Sequence, residues 1–104
     1  MMRLGKAFWN ELIKEYGDVK KIPIEAVKKK YEVIAKQLSR INGNKVLIDD
    51  TIFSVIIDDL KNGKLPRCLC ARYDVPEAIC PCPMLPLYIK IYGYCWCHVF
   101  YEKV

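Results

Sequence analysis

Apolar residues recur along the first two thirds of the chain at helical spacing. Leu4, Phe8 and Leu12 return every fourth position, with Trp9, Ile13 and Tyr16 beside them, and the run stops at Gly17. On a helix of 3.6 residues per turn this spacing gathers one apolar face, so a short amphipathic helix is expected. After Pro23 the pattern is more regular: Ile24, Val27, Tyr31, Ile34, Leu38 and Ile41 alternate steps of three and four. Lys28, Lys29, Lys30, Lys36 and Arg40 take the opposite face. Proline suits the first helical turn, where its missing N–H has no partner to lose, and Asn42-Gly43 supplies a stop. A third helix is expected from Asp50 to Leu60, with Asp49, Asp50 and Thr51 available to cap its positive end. Its inward stripe reads as Ile52, Val55, Ile56 and Leu60, with Gly63 after the end and "KVLI" as a short extended lead-in.

From Pro66 onward the periodicity breaks. Pro66, Pro76, Pro81, Pro83 and Pro86 exclude long regular helices and fix the backbone in turns. "MLPLYIKIYGY" leaves room for a short helical turn before Gly93. The expected fold is therefore mainly α: one small multi-helical domain over 1–104. Residues 1–65 would form a helical scaffold and 66–104 a proline-rich C-terminal segment.

Composition narrows the setting. The 104 residues, 53% of them hydrophobic, support one modest core. That is near the size at which a metal centre or disulfides usefully add to it. No stretch reaches the roughly 18 uninterrupted apolar residues of a membrane span. The start, "MMRLGKAFWNELIKEYG", lacks the apolar block and cleavage site of a secretory signal. A soluble, cytoplasmic protein with no membrane contact is expected. The net charge of +5 permits an acidic partner, but no motif of a nucleic-acid-binding module accompanies it.

The chemistry is concentrated between positions 68 and 98, which hold all six cysteines and the single histidine. The cysteines form three C-x-C pairs: Cys68/Cys70, Cys80/Cys82 and Cys95/Cys97. In a reducing compartment such a cluster points to metal binding or redox chemistry ahead of a disulfide scaffold. Structural zinc takes four ligands and favours C-x2-C knuckles, which this chain lacks. A 4Fe–4S cube needs four thiolates on four different irons, and short C-x-C pairs on proline-bearing turns can deliver sulfurs to separate corners. Four ligands from six leave two thiols over, which together can carry two electrons as a disulfide. The residues alone leave open which four would bind.

The segments "CLCARYD", "CPCPM" and "YGYCWCHVFY", in that order, resemble the catalytic (beta) subunit of ferredoxin:thioredoxin reductase. Its motif is C-P-C, C-P-C, then C-H-C. A helical N-terminal part ending in "LIDDTIFSVIIDDL" extends the resemblance over most of the chain. The resemblance implies a proline-rich segment wrapped around a 4Fe–4S cluster held by Cys68, Cys80, Cys82 and Cys95. It also implies an active disulfide between Cys70 and Cys97. A ferredoxin-like donor would supply single electrons, and a thioredoxin- or glutaredoxin-like protein would be reduced by thiol–disulfide exchange. A small accessory subunit accompanies the oxygenic form of the family.

The chain departs from the motif at three places. Leu69 stands where the family has its first proline, and Trp96 stands where it has histidine, with His98 following Cys97 instead. The spacings between pairs also differ from the plant-type enzyme, which makes the chain more similar to shorter, archaeal-type members. His98 is a candidate proton donor or acceptor at Cys97 because imidazole titrates near neutrality; the plainer alternative is a packed or solvent-facing histidine. Arg67 and Arg72 are placed in sequence to favour a Cys70 thiolate. Tyr88, Tyr92, Tyr94, Trp96, Phe100 and Tyr101 would shield a cluster or simply pack. Lys20, Lys21, Lys28, Lys29 and Lys30 would meet an acidic donor or simply be solvated. The alternative from another class is a small zinc- or cluster-stabilised interaction module without catalysis.

Overall fold

The computed structural model describes residues 4–66, 79–81, 85–94 and 99–103. Within them the chain is mainly helical. Helix α1 (Lys6–Tyr16) leads through a 3-10 turn at Val19–Lys21 into α2 (Ile24–Asn42). Strand β1 (Val46–Ile48), α3 (Asp50–Lys61), α4 (Leu85–Tyr92) and β2 (Phe100–Glu102) follow.

The helix ends are set by local chemistry. Gly43 closes α2 at φ 77°, a left-handed conformation that only glycine adopts without strain, and its N–H bonds the Ser39 carbonyl. At α3 the Asp49 carboxylate accepts the Ile52 N–H at 3.1 Å, satisfying one of the otherwise unpaired amides of the first turn. Pro23 stands at the N-cap of α2, one residue ahead of the first turn in which it was expected, with an extended backbone at φ −64° and ψ 140°.

The buried faces follow the apolar stripes with two adjustments. Helix α1 buries Phe8, Trp9 and Leu12, and α2 buries Val27, Tyr31, Ile34, Ala35 and Leu38. Ile24 and Ile41, the ends of the expected α2 stripe, are exposed, because the core covers only the middle turns of this long helix. On α3 the inward stripe is Phe53, Ile56, Ile57 and Leu60, with Ile52 partly buried and Val55 exposed. The helix is rotated relative to the expected stripe. Phe53 carries more apolar area than Val55, so the rotation that buries it is favoured.

The extended lead-in is a true strand. β1 pairs with β2 antiparallel, with Val46 opposite Glu102, Leu47 opposite Tyr101 and Ile48 opposite Phe100. The partner strand, which the periodicity did not announce, comes from beyond the third cysteine pair. Ser39 links α2 to the sheet: its hydroxyl donates to the Ala35 carbonyl and accepts the Val46 N–H, both at 2.8 Å. On the other side of β2 the Glu102 N–H bonds the Gly93 carbonyl at 2.6 Å, and Tyr94 bridges Tyr101. The short helical turn expected before Gly93 is α4, eight residues long, which buries Leu85 and Ile89.

One continuous apolar cluster joins these pieces, drawing on all four helices, both strands and the segment Ile79–Cys80. Tyr31 stands among its aromatic members. Its ring meets Phe53 at 5.2 Å and Phe8 at 5.4 Å edge-on, and stacks on Phe100 at 5.4 Å between centroids. Such pairs add about 0.5–1.5 kcal/mol each beyond area burial. No helix among the described residues is long and apolar enough to cross a membrane.

Candidate functional site

Of the six cysteines and the histidine singled out by the sequence, Cys80 falls within the described set. Cys68, Cys70, Cys82, Cys95, Cys97 and His98 lie outside the described residues, as do Arg67, Arg72 and Trp96. Among the described residues no group of three or more His, Cys, Asp or Glu side chains could hold a metal ion.

Cys80 sits in the apolar core and is 1% exposed, with a free thiol. It belongs to no helix or strand, so its position must come from long-range bonds. Its N–H donates to the Pro66 carbonyl at 2.8 Å. Its carbonyl accepts the indole N–H of Trp9 at 2.5 Å, across 71 residues of sequence. Its sulfur accepts the Tyr31 hydroxyl at 3.3 Å. The next carbonyl, that of Pro81, takes the Gly5 N–H at 2.6 Å, and the Cys80–Pro81 peptide is cis. Every polar group of Cys80 thus has a partner, which removes the penalty that unpaired polar atoms would carry in a buried segment.

Three parts of the chain converge here. Pro66, two residues before Cys68 in sequence, is bonded directly to Cys80. Phe100, three residues after Cys97, stacks on the ring whose hydroxyl reaches the Cys80 sulfur. The Asp49 N–H bonds the Val99 carbonyl at 2.8 Å, tying the approach to β2 onto the start of α3. The described flanks of the first and third cysteine pairs are therefore held around the second pair's first cysteine.

The donor chemistry at Cys80 fits a cluster-binding role. The residue is buried in the apolar core, and its sulfur receives a hydrogen bond from the Tyr31 hydroxyl. Both are features that tune a metal-bound thiolate.

Periodicity placed Trp9 and Tyr31 on apolar stripes and missed what their polar tips do. A signal was present. A hydroxyl in the middle of an otherwise aliphatic stripe must find a partner once buried.

No family model matches the chain, and neither a curated protein nor a solved structure matches it.

Proposed function

We propose that the chain is an iron–sulfur disulfide reductase. On this reading Cys68, Cys80, Cys82 and Cys95 hold a 4Fe–4S cluster, around which the proline-rich segment wraps, and Cys70 and Cys97 form the redox-active disulfide. The observation that carries it is the Cys80 thiol. One of the four assigned ligands lies in the dry core, its backbone fixed at both polar atoms and its sulfur hydrogen-bonded. The three C-x-C pairs and their order supply the remaining support.

The chemistry required of the chain's own residues follows. Opening Cys70–Cys97 consumes two electrons and two protons, and a ferredoxin-like donor delivers one electron per encounter. A bound cluster supplies a one-electron store beside the disulfide. Cys70, as thiolate, attacks the disulfide of a thioredoxin- or glutaredoxin-like substrate, forming a mixed disulfide and expelling one substrate thiolate. Cys97 then attacks the Cys70 sulfur, restoring Cys70–Cys97 and releasing the second substrate thiolate, so the two electrons pass to the substrate. His98 is the group proposed to give and take the proton at Cys97, and His98→Ala should then alter the pH–rate profile.

Anaerobic purification followed by iron, sulfide and thiol analysis tests this reading. About four irons and four sulfides per chain are expected, with a brown colour. Cys70→Ser and Cys97→Ser should each retain the cluster and lose disulfide reduction. Loss of the cluster in both variants overturns the allocation. A colourless chain with one zinc and no sulfide would instead support the zinc-stabilised module.

A further inference from the structure

Tyr31 occupies a place where phenylalanine would bury the same ring without desolvating a hydroxyl. The residue is 0% exposed, and Phe8, Phe53, Phe100 and Trp9 surround its ring at 5.2–6.5 Å. A ring so enclosed points its hydroxyl in one direction, and that direction reaches the Cys80 sulfur at 3.3 Å. The sulfur is equally constrained. Trp9 and Pro66 hold the carbonyl and N–H of the same residue, so its position relative to Tyr31 is fixed from both sides.

We infer that Tyr31 is a positioning residue for the proposed centre: its hydroxyl donates a fixed hydrogen bond to the Cys80 sulfur and raises the potential at which the centre accepts an electron. This rests on the reading of Cys80 as a cluster ligand. A metal-bound thiolate carries negative charge, and reduction adds more, so a donor aimed at the sulfur stabilises the reduced form more than the oxidised one. Burial enlarges the effect. With Cys80 1% exposed, water cannot replace a lost donor, and in a low-dielectric core one oriented O–H has more influence than at a surface.

The test is a redox titration, followed by visible absorption, of anaerobically purified wild-type chain and Tyr31→Phe. Tyr31→Phe should hold the same iron and sulfide, keep its helicity and show a midpoint moved to more negative potential. Leu38→Ala, which opens a cavity two turns along α2 and keeps both the aromatic cage and the hydroxyl, should lose stability and leave the midpoint unchanged. A merely structural role for Tyr31 would make Tyr31→Phe behave like that control, less stable and with an unchanged midpoint. The wild-type chain offers a second readout: exchange into deuterium oxide should shift the iron–thiolate stretching bands. Absence of that shift, or an unchanged midpoint in a fully loaded Tyr31→Phe, overturns the inference alone. A wild-type chain that binds no iron overturns the proposed function and this inference with it.

Discussion

The helical scaffold of residues 4–66 and the C-terminal pieces at 79–81, 85–94 and 99–103 are held by different means. Helices α1, α2 and α3 are specified locally, by apolar residues at helical spacing, a cap at Asp49 and a left-handed glycine at position 43. The segment around Cys80 has no repeating structure. It is fixed by hydrogen bonds spanning 49 and 71 residues, to groups that the first two helices present. Strand β2 is likewise a strand because β1 and residues 93–94 flank it. The scaffold is thus a receptor for the segment at Cys80, and Trp9 and Tyr31 are its contact points.

Removing the metal should separate the two regions most sharply. On the proposed reading the cluster ties the C-terminal pieces together, so its binding energy is folding energy for that part of the chain. Amide hydrogen exchange on cluster-free protein should show protection falling at Cys80, Ile89 and Phe100, while the middle of α2 keeps most of its own. Equal loss across both regions would mean that the scaffold does not stand apart from the segment it holds.

Trp9→Ala attacks the same junction from the scaffold side. It empties a fully buried site and deprives the Cys80 carbonyl of its donor. Truncating a buried aromatic costs about 3–5 kcal/mol, which would be read as a lowered urea midpoint. Trp9→Phe keeps most of the volume and isolates the hydrogen bond. Leaving a buried carbonyl unpaired costs about 1–3 kcal/mol. If Trp9→Phe unfolds at the wild-type midpoint, the indole contact contributes nothing and the receptor view fails at its shortest bond.

What the sequence made legible divides along the same line. The three scaffold helices, their ends and the short helix before Gly93 could be read because their signals lie within a few residues of the structure they produce. The face of α3 was misjudged by one position. Val55 and Phe53 both continue an apolar pattern; the one buried is the larger Phe53, which meets Tyr31 from another helix. β2 went unread for a related reason: three residues of strand carry too little alternation to announce themselves without their partner. Cys80 was legible as a candidate ligand by its pairing with Cys82, but Trp9 and Tyr31, which hold it, lie on two helix faces whose periodicity says only that they are apolar.

Asp49→Ala should have a smaller effect, confined to the scaffold. It removes the side-chain acceptor for the Ile52 N–H and a negative charge near the positive end of α3. Loss of such a cap costs about 1 kcal/mol, a drop of several degrees in melting temperature for a chain of this size. Asp49→Asn keeps an acceptor and should lose less. An Asp49→Ala chain with unchanged melting temperature would show that α3 is held by Phe53, Ile56, Ile57 and Leu60 alone.

The smallest effect is expected on the outer face of the very helices that hold Cys80. Lys30 on α2 approaches Glu11 on α1 at 3.9 Å, with their side chains 38% and 42% exposed. At that exposure water and salt screen the attraction, and ordering two long side chains offsets much of what remains. Lys30→Gln should therefore change stability by no more than about 0.5 kcal/mol, and raising the salt concentration should shift wild type and variant alike. The same two helices would then show both extremes: Trp9 and Tyr31 on the inner face, Glu11 and Lys30 on the outer. Should Lys30→Gln cost as much as Asp49→Ala, the α1–α2 pair depends on its surface charges as well as its core. The aromatic face could then no longer be treated as what fixes the two helices for the Cys80 segment.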